Sequence, residues 1–123
     1  MFVEVLPARK VHADPDLIDE LRYLSFPLGS MRYYLDIKQP GTIFLAKDDR
    51  EILGWAYLAQ KLCSTSYEVH VFVRHRCRGQ GIGEKLLTEA KNLAKKRRKS
   101  ISGRPGKEAI PLFNRVGIRV EKA

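Results

Sequence analysis

Hydrophobic positions follow two different periods along this chain, one typical of strands and the other typical of helices. Alternation of apolar and polar residues predicts strands at Phe2–Leu6, Thr42–Lys47, Ile52–Lys61, Tyr67–Val73, Ile101 and Gly117–Val120. Recurrence every three to four positions predicts four helices. The first begins at Asp14–Pro15, and the others run over Ser30–Ile37, about Gly81–Lys96 and Ala109–Val116. This order of elements, without repeats or a linker, indicates one α+β domain over residues 1–123.

The strand Tyr67–Val73 has the clearest two-sided pattern. Its register places two groups of side chains on opposite faces of the sheet. Tyr67, Val69, Val71 and Val73 share one face, and Glu68, His70 and Phe72 share the other. The helix that follows has an apolar stripe at helical spacing, formed by Leu86, Leu87, Ala90, Leu93 and Ala94. Strand and helix are therefore expected to pack on a common core.

Composition narrows the class of protein. Hydrophobic residues make up 44% and charged residues 30% of the 123 residues, which is typical of a soluble globule. No apolar run is long enough to span a membrane, and the N-terminus lacks the pattern of a secretion signal. Cys63 and Cys77 form neither a disulfide framework nor a metal-ligand spacing, so we expect a cytoplasmic protein without a bound metal.

The net charge of +9 favours acidic partners such as nucleotides, nucleic acid or acidic protein surfaces. Part of that charge lies in the run Lys95–Lys99, where the helix pattern stops. Cations complement the negative end of a helix dipole, which explains the run without any ligand. Nucleic-acid contact is the alternative, although the run has no interleaved aromatic residues on which bases would stack.

The segment Arg76–Gly83 joins the strand Tyr67–Val73 to the long helix and holds three glycines within five positions. A strand that turns through glycines into a helix exposes unpaired backbone amides at the positive end of the helix dipole. Such a turn binds phosphate, and the flanking arginines add positive charge. A tight turn alone would need fewer glycines.

Two motifs make the chain resemble the GNAT superfamily of N-acetyltransferases. Arg78-Gly-Gln-Gly-Ile-Gly83 fits its Arg/Gln-x-x-Gly-x-Gly/Ala signature, and Ala109–Ile118 is similar to its Ala-x-x-Leu-Tyr-x-x-x-Gly-Phe segment. The resemblance covers about Ile43 to Ile118. It implies a central mixed, mostly antiparallel sheet flanked by helices, with a shortened C-terminal end. It also implies acetyl-coenzyme A as the acyl donor, and an amine that attacks the thioester directly while both are bound.

The resemblance also assigns roles to residues. Backbone amides of Arg78, Gly79, Gln80, Gly81, Ile82 and Gly83 are expected to hold the pyrophosphate of the donor. Phe72 and Val73 are expected to bind its pantetheine arm, and an amide near Phe72 to stabilise the oxyanion. The segment Phe26–Tyr34, which includes Met31, Tyr33 and Tyr34, lies where the family builds the wall of its acceptor site.

The catalytic residues depart from the family pattern. Family members often carry a Glu or His base in the register of Tyr67 and Val69, and here the nearest titratable groups are Glu68 and His70. Alternation turns both to the opposite face, and a β-bulge would be needed to bring either around. For each of them, a structural place in the strand is the alternative to a role as base.

Two other family positions are changed. Phe113 stands where a tyrosine usually protonates the leaving thiolate, and Gly106 stands where an asparagine contacts the pantetheine arm. Tyr67 is the candidate substitute acid, with packing in the core as the alternative. Cys77 lies in the basic loop, but a nucleophilic cysteine is foreign to this family's chemistry. Arg74 and His75 are expected at the rim of the loop.

Three functions remain open from the sequence. The first is an acetyl-coenzyme A dependent N-acetyltransferase acting on an amine of a small molecule or protein. The second is a coenzyme-binding or basic interaction module that lost catalysis and contacts nucleic acid. The third is transfer from a related acyl donor, or modification of a nucleobase. Because only five residues follow Ile118, we also expect a reduced sheet or an edge completed by a second subunit in a homodimer.

Overall fold

The computed structural model describes residues 1–25, 35–36, 40–60 and 65–121. Its six strands are β1 (Phe2–Pro7), β2 (Gly41–Asp48), β3 (Glu51–Gln60), β4 (Ser66–Val73), β5 (Ser100–Gly103) and β6 (Arg119–Val120). Its main helices are α1 (Ala8–His12), α2 (Pro15–Ser25), α3 (Ile82–Lys96) and α4 (Ile110–Val116). Short 3-10 turns lie at His75–Cys77 and Lys107–Ala109.

The strands form one sheet in the order β1-β2-β3-β4-β5-β6. The pairs from β1 to β4 are antiparallel, whereas β5 pairs in parallel with both β4 and β6. The predicted α+β architecture, a mixed and mostly antiparallel sheet flanked by helices, is therefore confirmed. In the described part of the chain the last strand of the sheet, β6, has only two residues.

Side chains from the two faces of the sheet enter two separate cores. On one face, α3 and α4 pack on β4 through residues such as Leu86, Leu87, Val69 and Phe113. On the other face, α1 and α2 pack on β2 and β3 around Trp55 and Tyr57. The predicted stripe of α3 is confirmed, since Leu86, Leu87, Ala90 and Ala94 are all buried. The alternation of β4 is confirmed as well: Val69 belongs to the first core and Phe72 packs against the second.

The beginning of α2 follows the predicted capping. The Asp14 carboxylate accepts a hydrogen bond from the amide of Leu17 at 3.2 Å, while Pro15 occupies the first position of the helix. The helix α1 was not predicted, because five residues are too few to show a helical period. The helix predicted over Ser30–Ile37 and the turn at Cys63 lie mostly outside the described residues, although Leu35 and Asp36 are helical.

Strands β4 and β5 separate soon after they meet. Only three residues of β4, Ser66 to Glu68, pair with β5, where they lie opposite Ser100 to Ser102. A Cβ built on Gly103 would lie 3.0 Å from Val69 O and 2.4 Å from the Phe113 ring, so only a glycine fits at this point. Beyond it, β4 stays paired with β3 to Val73, but on its other side no strand lies beside it among the described residues. The sheet therefore opens next to the second half of β4.

Candidate active site

The loop between β4 and α3 has the conformation that its glycines allow. Gly79 and Gly81 have φ angles of +81° and +80°, in the left-handed region that other residues rarely adopt. A Cβ at either position would meet no atom within 4 Å, so the loop backbone borders open space on that side. Gly83 differs, because its missing side chain lets Leu112 and Val73 pack against the first turn of α3.

Most amides of this loop are unpaired. The amide of Arg78 donates to His75 O at 3.2 Å, and that of Lys85 donates to Gly81 O at 3.0 Å. Between those two positions, no amide finds an acceptor within the described part of the chain; these amides belong to Gly79, Gln80, Gly81, Ile82, Gly83 and Glu84. Five of the six amides assigned to a pyrophosphate are thus free, at the N-terminus of a 15-residue helix.

The arginines around the loop mainly fasten it to the rest of the fold. Arg74 donates through Nε to Ile52 O at 2.6 Å, and Arg76 forms an ion pair with Glu51. Arg78 donates through Nε to Val73 O at 3.1 Å, which holds its guanidinium beside the end of β4. These bonds tie the loop to the β2–β3 hairpin and to β4. A rigid loop loses less entropy when it closes on a ligand.

The amide direction along β4 follows from one hydrogen bond. Residues of an antiparallel strand alternate between bonding the neighbour on one side and facing away from it. The amide of Arg74 donates to Leu53 O of the β3 segment at 2.9 Å, and the β3–β4 register runs without a shift to Tyr67. Phe72 therefore also turns its amide to β3. The oxyanion donor expected near Phe72 cannot be that residue's own amide.

The amides of Val71 and Val73 point the other way, toward the opening beside β4. This direction agrees with Val69, whose carbonyl oxygen faces Gly103 on the β5 side. β5 no longer pairs with β4 at this level, so no strand among the described residues takes up these two amides. They are polar, directed at an opening and on the strand that leads into the glycine loop. Only the hydrogen-bond register reveals them, because Val71 and Val73 look purely apolar in the sequence.

Comparison with known proteins decides the family. A model of the acetyltransferase (GNAT) family matches residues 11–118 of the chain. The chain therefore belongs to the GNAT acetyltransferase family. No curated protein sequence matches it significantly.

Solved structures share this GNAT fold. Tetrahymena GCN5 superposes with a TM-score of 0.75 at 14% identity, over 94% of this chain and 78% of that one. A Bacillus subtilis acetyltransferase in complex with CoA gives 0.69 at 20% identity, over 98% and 79% of the two chains. An IAA acetyltransferase from Bacillus cereus gives 0.67 at 22% identity, over 93% and 73%. At these identities the likeness concerns the fold alone.

In this GNAT domain, Glu68 and His70 lie together on the face of β4 that is turned away from α3. Glu68 Oε1 is 3.2 Å from His70 Nε2, and the two side chains are only 12% and 11% exposed. The register of β4 contains no bulge; the single shift in the sheet lies between Ala46 and Lys47 of β2. The bulge that would have moved either residue to the other face is therefore absent from β4. The structure instead brings the two candidates together as a pair.

Three other residues singled out in the sequence are buried. Tyr67 is 4% exposed and Phe113 is 1% exposed, and both belong to the core under α3. Cys77 is 5% exposed in the same core, beneath the glycine loop rather than on its surface. Packing accounts for all three. The expected acceptor wall at Phe26–Tyr34 lies outside the described residues.

Residues 1–25, 35–36, 40–60 and 65–121 contain neither a candidate metal site nor a candidate membrane span. Over these ranges, no three His, Cys, Asp or Glu side chains come close enough together to hold a metal ion. No helix in the same ranges has the length and hydropathy to cross a membrane.

Proposed function

We propose that this GNAT domain transfers an acetyl group from acetyl-coenzyme A to an amine by direct attack within a ternary complex. The observation that carries the proposal is the row of unpaired amides from Gly79 to Glu84 at the start of α3. Such amides, together with the positive end of the helix dipole, suit a diphosphate. The family of the chain and a structural relative solved with CoA point to the same donor.

The unpaired edge of β4 is the second part of the site. The amide-bearing pantetheine arm of the donor has the hydrogen-bonding groups of an extended peptide, so it suits a strand that lacks a neighbour. The amide of Val71 faces this opening and is the donor we assign to the thioester oxygen. It would stabilise the negative charge that develops on that oxygen as the amine attacks.

The Glu68–His70 pair is our candidate proton acceptor. His70 directly precedes Val71 on β4, and its Nε2 lies 3.2 Å from the Glu68 carboxylate. The amine nitrogen forms a bond to the acetyl carbon, the carbon–sulfur bond breaks, and the amine proton passes to the pair, directly or through water. Coenzyme A leaves as a thiolate and takes its proton from solvent, since Phe113 has no proton to donate.

A test of turnover uses the whole chain with acetyl-coenzyme A and a panel of amines, following the release of free thiol. We expect turnover with at least one amine. Glu68→Gln and His70→Gln should each lower kcat by about 10²- to 10⁴-fold, the usual contribution of general base catalysis, with little change in donor affinity. Wild-type activity in both variants would remove the pair from the mechanism.

A binding module without catalysis is the second candidate function. It is favoured by Phe113, which cannot donate a proton at the family's acid position, and by the burial of Tyr67, the candidate substitute acid. Calorimetric titration with coenzyme A separates the two candidates. Heat of binding without turnover on any amine would support the binding module, whereas no heat at all would contradict both.

A further inference from the structure

The far end of α3, opposite the glycine loop, carries the densest positive charge of the described chain. Here a hollow of about 340 Å³ is lined by four cations and no carboxylate: Lys91, Lys95, Lys99 and Arg119, with Ser100, Ile101 and Gly117. A second hollow of about 630 Å³ has three basic residues, Arg9, His12 and Arg97, and no carboxylate among its eleven lining residues. We name the basic residues of the two hollows, together with Lys96 and Arg98, the basic end. Its members are Arg9, His12, Lys91, Lys95, Lys96, Arg97, Arg98, Lys99 and Arg119.

The positive charge of the basic end is almost uncompensated, because many carboxylates pair with cations elsewhere in the fold. Ion pairs are formed by the cations nearer the loop and sheet edges, for example Lys85 with Glu89 and Arg115 with Glu84. At the basic end, Arg119 pairs with Glu121 at 3.0 Å, while the run Lys95–Lys99 has no carboxylate partner among the described residues. The segments outside the description contain no Asp or Glu in their sequence.

Completing the helix dipole does not account for this arrangement. The dipole acts within the last turn of a helix, which here contains Lys95 and Lys96. Lys99 lies beyond the helix, and Arg119 belongs to β6, which follows α4 in the sequence. The first hollow therefore collects cations from three separate segments, and Lys91 is fixed in it by a 2.9 Å bond from Nζ to Val116 O.

Arg98 adds an independent observation. It has a φ of +57°, and the amide of Lys99 donates to Ala94 O at 2.9 Å, which closes the C-terminal turn of α3. This is the position at which helices most often carry glycine, because other residues are strained there. The chain has an exposed arginine at a position where the left-handed backbone favours glycine. Backbone strain at such a residue points to a role for its side chain.

We propose that the basic end binds the phosphodiester backbone of double-helical nucleic acid. Closely spaced cations in open hollows match a row of phosphates. Unpaired strands are disfavoured, since the first hollow has no aromatic ring and Tyr67, which lines the second, is only 4% exposed and offers no open face for a base. The surface lies a full helix length from the glycine loop, about 22 Å for 15 residues. It is therefore a different surface from the site assigned to acetyl-coenzyme A.

The test measures fluorescence anisotropy of a labelled duplex of about 20 base pairs, as RNA and as DNA of the same sequence. We expect binding to at least one of them, weakening about a hundredfold between about 50 and 200 mM salt, as about four phosphate contacts require. Lys95→Ala with Lys99→Ala should reduce the salt slope by about two. The matched control, Arg50→Ala with Lys85→Ala, removes the same charge elsewhere and should leave the slope unchanged.

Arg98→Gly separates binding from folding. Relief of the left-handed strain should raise Tm by roughly 2–5 °C, while loss of the cation weakens duplex binding several-fold. A destabilised variant cannot produce this combination.

Four results obtained without coenzyme A would overturn the proposal. These are no duplex binding at about 50 mM salt, equal losses in the Lys95/Lys99 and control variants, tighter binding to anionic phosphatidylserine vesicles, and tighter binding to polyglutamate. A last measurement repeats the duplex titration in the presence of saturating coenzyme A. An unchanged duplex affinity supports a separate surface, and competition would place the duplex on the glycine loop instead. Because duplex binding does not depend on transfer, failure of the acetyltransferase assay leaves this test intact.

Discussion

Two of the loop glycines, Gly79 and Gly81, act through backbone conformation and not through the space they leave. Their φ angles lie in the left-handed region, and the volume where a Cβ would stand is empty. Gly83 is needed for the opposite reason, because its missing side chain lets Leu112 approach α3. The Gly-x-Gly-x-Gly pattern in the sequence thus combines two distinct physical demands.

Gly81→Ala is expected to weaken coenzyme A binding about tenfold and to lower the free energy of unfolding by about 1 kcal/mol. The alanine strains the position that precedes α3 and places a methyl group beside the free amides. Calorimetric titration and urea unfolding measure the two effects. Gly117→Ala is the control outside the loop, because Gly117 has a φ of +83° at the far end of α4, where a Cβ would also displace Lys91 Nζ, 2.7 Å away. It should lose at least as much stability and keep donor affinity, and equal loss of affinity in both variants would contradict the loop assignment.

A buried hydrogen bond between two side chains also contributes to the stability of the fold. Trp55 Nε1 donates to Ser25 Oγ at 2.7 Å, with both residues fully buried between the sheet and α2. Ser25→Ala should lower the free energy of unfolding by about 1–3 kcal/mol, because the indole N–H is left without an acceptor away from water. Urea unfolding measures the loss, and the exposed Ser100→Ala should change stability by less than about 0.5 kcal/mol.

At the level of elements, most of the fold could be predicted from periodicity. The strands β2 to β4 and the helix α3 carry strong patterns, and all were predicted within one or two residues of their observed bounds. The five-residue α1 is too short for such a pattern, and the pairing partners of β5 depend on tertiary contacts. The direction of the Val71 amide was missed for the same reason, since it follows from the β3–β4 register and not from the side chain.

Because only one side of β4 faces the opening, proline substitutions at two neighbouring residues of this strand should have different effects on folding. Val71→Pro removes an amide that faces the opening and leaves the β3–β4 ladder paired, so a folded protein with a kcat lowered about 10²- to 10³-fold is expected. Phe72→Pro removes an amide that bonds β3 and should unfold the sheet. Circular dichroism and the free-thiol assay measure the two outcomes. A folded Val71→Pro variant with full kcat would contradict the role of this amide.

For the whole molecule, family and fold follow from the loop and its flanking elements, whereas acceptor, assembly and location do not. The predicted homodimer and the cytoplasmic location stay predictions. Sedimentation velocity across a range of protein concentrations tests the first, with a dimer expected if β6, at the edge of the sheet, pairs with a second copy. A single monomeric species at all concentrations would contradict that assembly.

The gap in the sheet beside β4 makes the donor resemble a missing strand. Without it, the amides of Val71 and Val73 should exchange with deuterated solvent faster than those of Phe72 and His70, which are bonded to β3. Coenzyme A should slow exchange at the first pair and hardly affect the second. Occupancy would then also shield an open strand edge from pairing with other chains, so that the donor protects the protein from aggregation as well as supplying the acetyl group.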